Sequence, residues 1–237
     1  DQKVRAKLIY LNYPNNPTGA SASTEFFDRA IAFAKENDVL LVIDAAYAPL
    51  NFAGTPLSIF SRPGGKDVAV ELHSMSKGFN MTGWRLGWVC GQADAVKAFA
   101  NVKDNADSGQ FQAIQKAAAR ALENQSEITP RICEKYGRRL AALTAMLREL
   151  GFDAQMPQGS FYLYVEIPKG TTDGVTFENA EAFSHWMIME KQISTVPWDD
   201  VGNFVRFSAT FVAPTPDEEK RVLDEVKARL SDSTFVF

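Results

Sequence analysis

The chain has 237 residues, a net charge of −4, and 46% hydrophobic and 23% charged residues, which is typical of one large or two modest globular domains. The acidic balance argues against nucleic-acid binding, and no apolar run reaches the roughly 20 residues that span a bilayer. Cys90 and Cys133 have neither metal-ligand spacing nor the pattern of a disulfide framework. We therefore expect a cytoplasmic protein that binds no metal.

The first part of the chain alternates between strand and helix patterns. Apolar runs predict strands at residues 8–11, 39–43, 68–72 and 86–90, and helical spacing predicts helices at residues 24–37, 92–102 and 110–123. The first strand is expected to be buried. The third helix is expected to carry Phe111, Ile114, Ala118 and Leu122 on one side. A wholly apolar strand such as 39–43 is typical of a parallel sheet covered on both faces, so residues 1–125 are predicted to form an α/β layer architecture.

The pattern changes after residue 125. Apolar residues recur at three- and four-residue spacing from residue 128 to 150, which predicts a long amphipathic helix. Further strands are predicted at residues 161–167, 193–196 and 204–209, and further helices at residues 177–191 and 216–230. Thr215 and Glu218 form a capping-box pattern at the start of the last helix. The mixture predicts a smaller α+β domain over residues 126–237.

Polar side chains follow the predicted strands where each strand ends. They are Asn16 in the turn Asn16-Pro17-Thr18-Gly19, Asp44 with Tyr47, and Ser74, Ser76 and Lys77, with Arg85 eight residues after Lys77. In α/β folds the edge at the carboxyl ends of the strands is where ligands bind. A lysine amine that can form a Schiff base, beside hydroxyls and a guanidinium that can hold a phosphate, suggests a cofactor site. Each motif alone would equally suit a polar turn, a helix cap or a surface cation.

The motif Ser74-x-Ser76-Lys77 with Arg85 resembles the lysine motif of the fold-type I aminotransferases, which depend on pyridoxal phosphate (PLP). The run from His73 to Val89 is similar to the subgroup that contains LL-diaminopimelate aminotransferase. The resemblance implies a PLP-dependent transferase fold. Residues 1–125 would be the C-terminal part of the large PLP-binding domain, with part of its mainly parallel sheet and flanking helices, and residues 126–237 the small domain with the connecting helix.

The resemblance also implies a role for each polar residue. Lys77 forms the Schiff base with PLP and moves protons as the catalytic residue. Asp44 binds the pyridine nitrogen, which must stay protonated for PLP to act as an electron sink. Asn16 and Tyr47 bind the ring oxygen, and Arg85 binds the phosphate.

Three further residues complete the expected site. Ser74 and Ser76 offer hydroxyl donors to the phosphate, which carries about −1.5 to −2 charges. Arg206 lies on a predicted strand, where a lone arginine would ordinarily be a surface residue. The resemblance instead implies that Arg206 holds the substrate α-carboxylate through two parallel hydrogen bonds.

The implied activity moves an amino group between an amino acid and a 2-oxo acid, most specifically LL-diaminopimelate and 2-oxoglutarate in lysine biosynthesis, in a homodimer. Alanine, aspartate and aromatic aminotransferases share most of these motifs. A PLP-dependent carbon–sulfur lyase would keep Lys77 and Asp44, and a PLP-binding sensor domain of a transcription regulator is a third alternative.

The resemblance covers only the C-terminal part of such an enzyme. Family members carry an N-terminal arm, a glycine-containing phosphate loop and a ring-stacking aromatic residue before the turn that holds Asn16. We therefore expect residues 1–237 alone to be inactive and poorly stable, because an edge of the sheet is left unpaired.

Overall fold

The structure, a computed structural model, describes residues 6–52, 54 and 57–237. Predictions for residues 1–5, 53, 55 and 56 lie outside this described part. The described chain divides into two compact units. The first unit extends to Asn16 and continues through Ala20–Cys133 and Gln158–Ser160; the second comprises Pro17–Gly19, Glu134–Pro157 and Phe161–Phe237. The domain boundary after residue 125 stays a prediction.

The first unit contains a mixed sheet and its flanking helices. Its strands are β1 (Leu8–Asn12), β2 (Leu40–Asp44), β3 (Ala69–Ser74) and β4 (Gly87–Gly91), and its helices are α1 (Thr24–Asn37), α2 (Gly65–Val68), α3 (Met75–Gly78), α4 (Ala93–Ala106), α5 (Gln112–Glu123) and the start of α6 (Gln125–Glu149). Two short 3₁₀ helices are also present: Ile59–Ser61 lies between β2 and α2, and Thr82–Trp84 lies between α3 and β4. The described residues contain no helix that is both long and apolar enough to cross a membrane.

The sheet has the strand order β1-β2-β3-β4 within the described residues. Strands β1, β2 and β3 run parallel, and β4 returns antiparallel to β3. The register places Asn12 opposite Asp44, Asp44 opposite Leu72, and Ser74 opposite Gly87. The predicted mainly parallel sheet is therefore confirmed.

Helix α1 supplies the core on one face of the sheet. Its ends coincide with the predicted ones because Ser23 caps the first turn by accepting from the amide of Phe26, and Asp38 ends the helix in a left-handed conformation. Buried Phe27 and Ile31 pack in one cluster with β2 residues including Leu41. Burial of large apolar side chains contributes about 1.5–3 kcal/mol each, so this cluster fixes α1 on the sheet.

The burial predicted for the first strand is wrong. Strand β1 is not buried: Leu8 and Tyr10 are 51% and 55% exposed, because within the described residues β1 is an edge strand that pairs with β2 alone. Helix α5 was predicted to carry four apolar residues on one side, with no prediction of their burial; of these Ala118 is buried, whereas Phe111 and Leu122 are 72% and 37% exposed. Phe111 precedes the helix as its N-cap residue. The apolar residues of α5 do share one face of the helix, but the described residues of the chain cover little of that face.

The second unit has the predicted α+β character. Its strands are β5 (Tyr162–Glu166), β6 (Gly170–Thr171), β7 (Val196–Trp198), β8 (Phe204–Ser208) and β9 (Phe235–Val236), and its helices are the rest of α6, α7 (Ala180–Lys191) and α8 (Pro216–Ser231). An antiparallel sheet has the order β5-β8-β7, and β6 pairs with β9. The short pair of β6 and β9 was not predicted.

The elements around α7 begin later than predicted for local reasons. Asn179 caps α7 by accepting from the amide of Ala182, so the helix starts at Ala180 rather than at residue 177. The amide of Ile193 bonds back to the carbonyl of Met187 at the end of α7. Because residue 193 still closes the helix, the strand predicted at residues 193–196 begins only at Val196.

A buried ion pair holds the second unit together. Arg139 is 1% exposed, and its Nε donates to Oε1 of Glu219 at 2.9 Å. Its Nη atoms donate to the carbonyls of Ala209, Phe211 and Ala213 at 3.0, 2.6 and 2.8 Å. Helix α6 is thereby tied to α8 and to the chain that follows β8.

Replacing Arg139 by Met leaves Glu219 and the three carbonyls without this partner. Removing one member of a buried pair costs about 3–5 kcal/mol, and we expect a loss of that size in the free energy of unfolding measured with urea. Arg138→Met is the matched control, since Arg138 also bonds Glu219 but is half-exposed; its cost should be distinctly smaller. Equal costs for the two variants would contradict the role given to Arg139.

The same pair makes stability depend on acid. Burial alone would raise the pKa of Glu219, but hydrogen bonds from Arg138 and Arg139 outweigh burial and lower that pKa. A lowered folded-state pKa stabilises the fold above the unfolded-state value, and this stabilisation is lost as the pH falls through the folded value. We expect Glu219→Gln to be less stable at neutral pH and to lose less stability on acidification. Parallel pH profiles of the free energy of unfolding would contradict this.

Candidate active site

The carboxyl ends of β1, β2 and β3 lie at one edge of the first unit's sheet, because the three strands are parallel and in register. Asp44 is the last residue of β2, Ser74 is the last residue of β3, and Asn16 follows β1 in a turn. The predicted convergence of these strand ends is therefore present.

Both carboxylate oxygens of Asp44 accept hydrogen bonds. The Tyr10 hydroxyl donates to Oδ2 at 3.0 Å, and the Ala46 amide donates to Oδ1 at 3.1 Å. Burial, the hydrogen bond and the negative charge of Asp44 together raise the pKa of Tyr10, so Tyr10 stays a donor. Tyr10 was missed, although strand alternation places residues 10, 12 and 44 on one face of the sheet.

The side chain of Asn12 organises the turn that contains Asn16. Its Oδ1 accepts from the Asn16 amide at 2.9 Å, and its Nδ2 donates to the Asp44 carbonyl at 3.1 Å. Asn16 is thus placed relative to β2 by a residue that the sequence patterns did not single out.

Lys77 lies in α3, which begins directly after β3. Ser74 caps α3, its Oγ accepting from the Ser76 amide at 3.1 Å. The Nζ atom of Lys77 lies over the ring of buried Tyr47, 5.6 Å from its centroid. A Cβ on Gly78 would come within 2.4 Å of Pro49, so a glycine is required for α3 to lie this close to the segment after β2. The structure brings Lys77 and Tyr47 together.

Arg85 is exposed, and its side chain bonds to the turn that precedes it. It adopts a left-handed backbone conformation at φ 53° and donates from Nη1 to the carbonyl of Thr82 at 2.8 Å. Thr82 in turn donates from Oγ1 to the carbonyl of Ser76 at 2.9 Å. Arg85 therefore belongs to a turn that is tied to the predicted phosphate residues through Thr82.

Arg206 lies on β8 in the second unit and is stacked by aromatic rings. Its Cζ is 3.9 Å from the ring centroid of Tyr162 and 5.6 Å from that of Trp198. Stacking covers the face of a guanidinium and fixes the directions of its in-plane N–H groups. Trp198 was missed as a site residue, and Tyr162 was given only a supporting role because the segment Gly159-Ser160-Phe161-Tyr162 resembles a family segment near the active-site entrance. Tyr162 lay in a predicted strand, and Trp198 lies beyond the end of the strand predicted at residues 193–196.

A sequence model of the family described as aminotransferase class I and II matches residues 1–225. The chain belongs to this family. Pyridoxal phosphate is the cofactor of the family. The residue types that the structure gathers in the first unit fit its chemistry, with a carboxylate, a phenol, hydroxyls and an amine at one sheet edge.

Two archaeal relatives match nearly the whole chain. The LL-diaminopimelate aminotransferase of Methanococcus maripaludis is 54% identical over 99% of this chain and 58% of its own length. That of Methanocaldococcus jannaschii is 51% identical over 100% of this chain and 58% of its own length. The chain thus spans 58% of the length of these relatives.

Solved structures confirm the PLP-dependent transferase fold. Substrate-bound BacF from Bacillus subtilis superposes with a TM-score of 0.87 and 33% identity, over 98% of this chain and 57% of its own. An aminotransferase from Staphylococcus aureus gives a TM-score of 0.84 and 34% identity, over 95% of this chain and 57% of its own.

The segment of residues 74–78, which holds Lys77 and is called the lysine turn below, begins at the last residue of β3. Its position depends on close pairing of β3 and β4 at Gly87. A Cβ on Gly87 would lie 2.5 Å from the carbonyl oxygen of His73. We expect Gly87→Ala to cost about 1–3 kcal/mol through overpacking and to speed hydrogen exchange in β3, measured by mass spectrometry.

Gly83→Ala serves as the matched control in the preceding turn. A Cβ there would meet no atom within 4 Å, so the change should leave stability unaltered or slightly improved. If Gly87→Ala behaved like Gly83→Ala, the close pairing of the strands would not limit residue size at this position.

Proposed function

We propose that the protein containing this chain is a PLP-dependent aminotransferase, which moves an amino group between an amino acid and a 2-oxo acid. The observation that carries the proposal is the placement of Lys77 over Tyr47 at the sheet edge that also carries Asp44. Family membership supports it.

When bound, PLP supplies an electron sink for negative charge at the substrate α-carbon. Lys77 would hold the cofactor covalently, and its Nζ, once released from that bond by the incoming substrate amine, would accept and return the α-proton as general base and acid. Asp44, as a carboxylate, holds a proton on the pyridine nitrogen. The Tyr10 donor to Oδ2 and the Ala46 donor to Oδ1 stabilise that charge and fix the carboxylate plane.

The remaining first-unit residues bind and orient. Asn16 and buried Tyr47 bind the ring oxygen. Ser74, Ser76 and Arg85 bind the phosphate, to which hydroxyls and a guanidinium donate charge-assisted hydrogen bonds. The link from Thr82 to Ser76 holds the Arg85 turn near these hydroxyls.

Arg206 binds the α-carboxylate of the substrate. Its Cζ lies over the rings of Tyr162 and Trp198, and these contacts limit the movement of the guanidinium, which supports a bidentate contact with the carboxylate. Preorganisation of this kind lowers the entropy lost when a substrate binds.

The specific substrates proposed are LL-diaminopimelate and 2-oxoglutarate. The name carried by both archaeal relatives, at 54% and 51% identity, supports this choice. With it we propose a cytoplasmic homodimer that acts in lysine biosynthesis.

Product analysis with PLP tests the reaction class. The full-length protein containing this chain should convert LL-diaminopimelate only when 2-oxoglutarate is present, and glutamate should accumulate. Release of ammonia without an oxo-acid acceptor would indicate a lyase instead. Residues 1–237 alone are run in parallel, and we expect no transamination from them.

Lys77→Ala should abolish both activity and the covalent linkage to PLP. Borohydride reduction and peptide mapping of the wild-type protein should place the PLP-derived mass on Lys77, and the variant should lose the visible absorbance of bound cofactor. Lys97→Ala, at an exposed position on α4, is the matched control and should retain both. Covalent PLP remaining in Lys77→Ala would refute the assignment.

A further inference from the structure

Three side chains with metal-ligating atoms meet on β3 and β4. Glu71 and His73 lie two positions apart on β3, so they share one face of the sheet, and Cys90 on β4 lies directly opposite Glu71. A carboxylate oxygen, a ring nitrogen and the cysteine sulfur all lie within 4.8 Å of one another. The spacing of the cysteines along the sequence does not reveal this group, because the antiparallel return of β4 assembles it.

The two ligands on β3 are held in fixed orientations. Oε1 of Glu71 accepts from the Ser58 hydroxyl at 2.7 Å and from the Ile59 amide at 2.9 Å, which turns Oε2 towards Nε2 of His73, 2.8 Å away. The His73 ring stacks on Trp88, with centroids 5.0 Å apart and planes at 10°. Outer contacts that orient ligating side chains in this way are a regular part of metal sites.

We propose that Glu71, His73 and Cys90 bind a divalent cation of the zinc class and thereby cross-link β3 and β4. The combination of one sulfur, one nitrogen and one oxygen donor suits zinc, whereas calcium and magnesium require oxygen ligands. A cavity of about 180 Å³ lined in part by Glu71 and His73 adjoins the group. A water molecule, which occupies about 30 Å³ in the liquid, fits there as a fourth ligand.

Metal binding has two costs that the cation itself offsets. It breaks the hydrogen bond between Glu71 and His73, and it removes the proton of Cys90, whose pKa is raised by burial and by the charge of Glu71. A divalent cation replaces the lost hydrogen bond with two coordination bonds, and it holds a thiol in the deprotonated form. His73 and Cys90 are half-buried rather than fully enclosed, so a cation has a route to them.

The three proposed metal ligands lie on the face of the sheet opposite the Asp44 side chain, although the adjoining cavity is also lined by Ser74. Asp44 pairs with Leu72, and Ser74 lies on the same face as Leu72. Glu71 and His73 alternate with these residues and therefore face the other side of the sheet. The proposal consequently does not depend on the proposed activity, and its test needs no turnover.

The test uses the full-length protein that contains this chain, purified, reduced, chelator-treated and free of PLP, and titrated with Co²⁺ as the probe. We expect one equivalent to bind with a thiolate-to-cobalt charge-transfer band in the near ultraviolet, and Zn²⁺ to displace it. Cys90→Ser should lose the band and weaken Zn²⁺ binding at least about tenfold, the lower end of the loss seen even when a supporting residue is removed. His73→Gln should weaken binding similarly.

Cys133→Ser is the matched control, because the sulfur of Cys133 donates instead to the carbonyl of Pro49 at 3.0 Å. It should keep the band and the affinity. Zn²⁺ should also raise the unfolding midpoint of the wild-type protein and of Cys133→Ser but not that of Cys90→Ser, with circular dichroism confirming that each variant folds. Absence of stoichiometric binding, or equal binding by Cys90→Ser, would overturn the proposal.

Discussion

Parallel pairing of β1, β2 and β3 is the constraint on which the candidate active site depends. Parallel strands in register end at the same edge of the sheet. Residues far apart in the sequence are therefore brought together there by strand pairing, even where their side chains do not contact one another. The opposition of Asn12 and Asp44 has a second consequence, since Asn12 then reaches both the Asp44 carbonyl and the Asn16 amide. A shift of one residue in this register would turn Asp44 to the opposite face.

The lysine turn adds tight local packing to that register. Ser74 caps α3, Thr82 binds the carbonyl of Ser76, and Gly78 lets the turn approach Pro49. These contacts constrain the backbone on both sides of Lys77. The catalytic role proposed for the Lys77 amine would gain from such support, because small displacements of a reacting group reduce rates strongly.

Much of this arrangement was predictable from the sequence. The bounds of α1 were predicted from apolar spacing, and Asp44, Ser74 and Lys77 were singled out as candidates because each closes or follows an apolar run. Contacts between strands were not predictable in the same way. The Tyr10 hydroxyl donates to Asp44, and Arg206 lies over the Trp198 ring, only because of register and strand pairing, which single-strand patterns do not encode.

Burial was the weakest inference for a related reason. An apolar residue in a strand or helix pattern indicates a face that needs covering, but it does not indicate what covers it. Leu8 and Phe111 have the expected periodicity and are nevertheless exposed among the described residues. By contrast Arg139 is a charged residue within an apolar stripe and is almost fully buried, because the partners that compensate its charge lie in distant segments of the second unit.

Strand β3 shows how alternation separates two kinds of chemistry. Its residues 72 and 74 face the Asp44 side, while Glu71 and His73 face the side where α1 packs and meet Cys90 of β4. Glu71 and His73 take no part in the proposed cofactor site. The Glu71 side chain is nevertheless buried, with 3% of its surface exposed. Burying a carboxylate is costly unless its oxygens have partners, and Ser58, Ile59 and His73 supply them. The orientation that these partners give to Glu71 leaves donor atoms of Glu71, His73 and Cys90 within 4.8 Å of one another, and this is the group to which we assign the proposed cation.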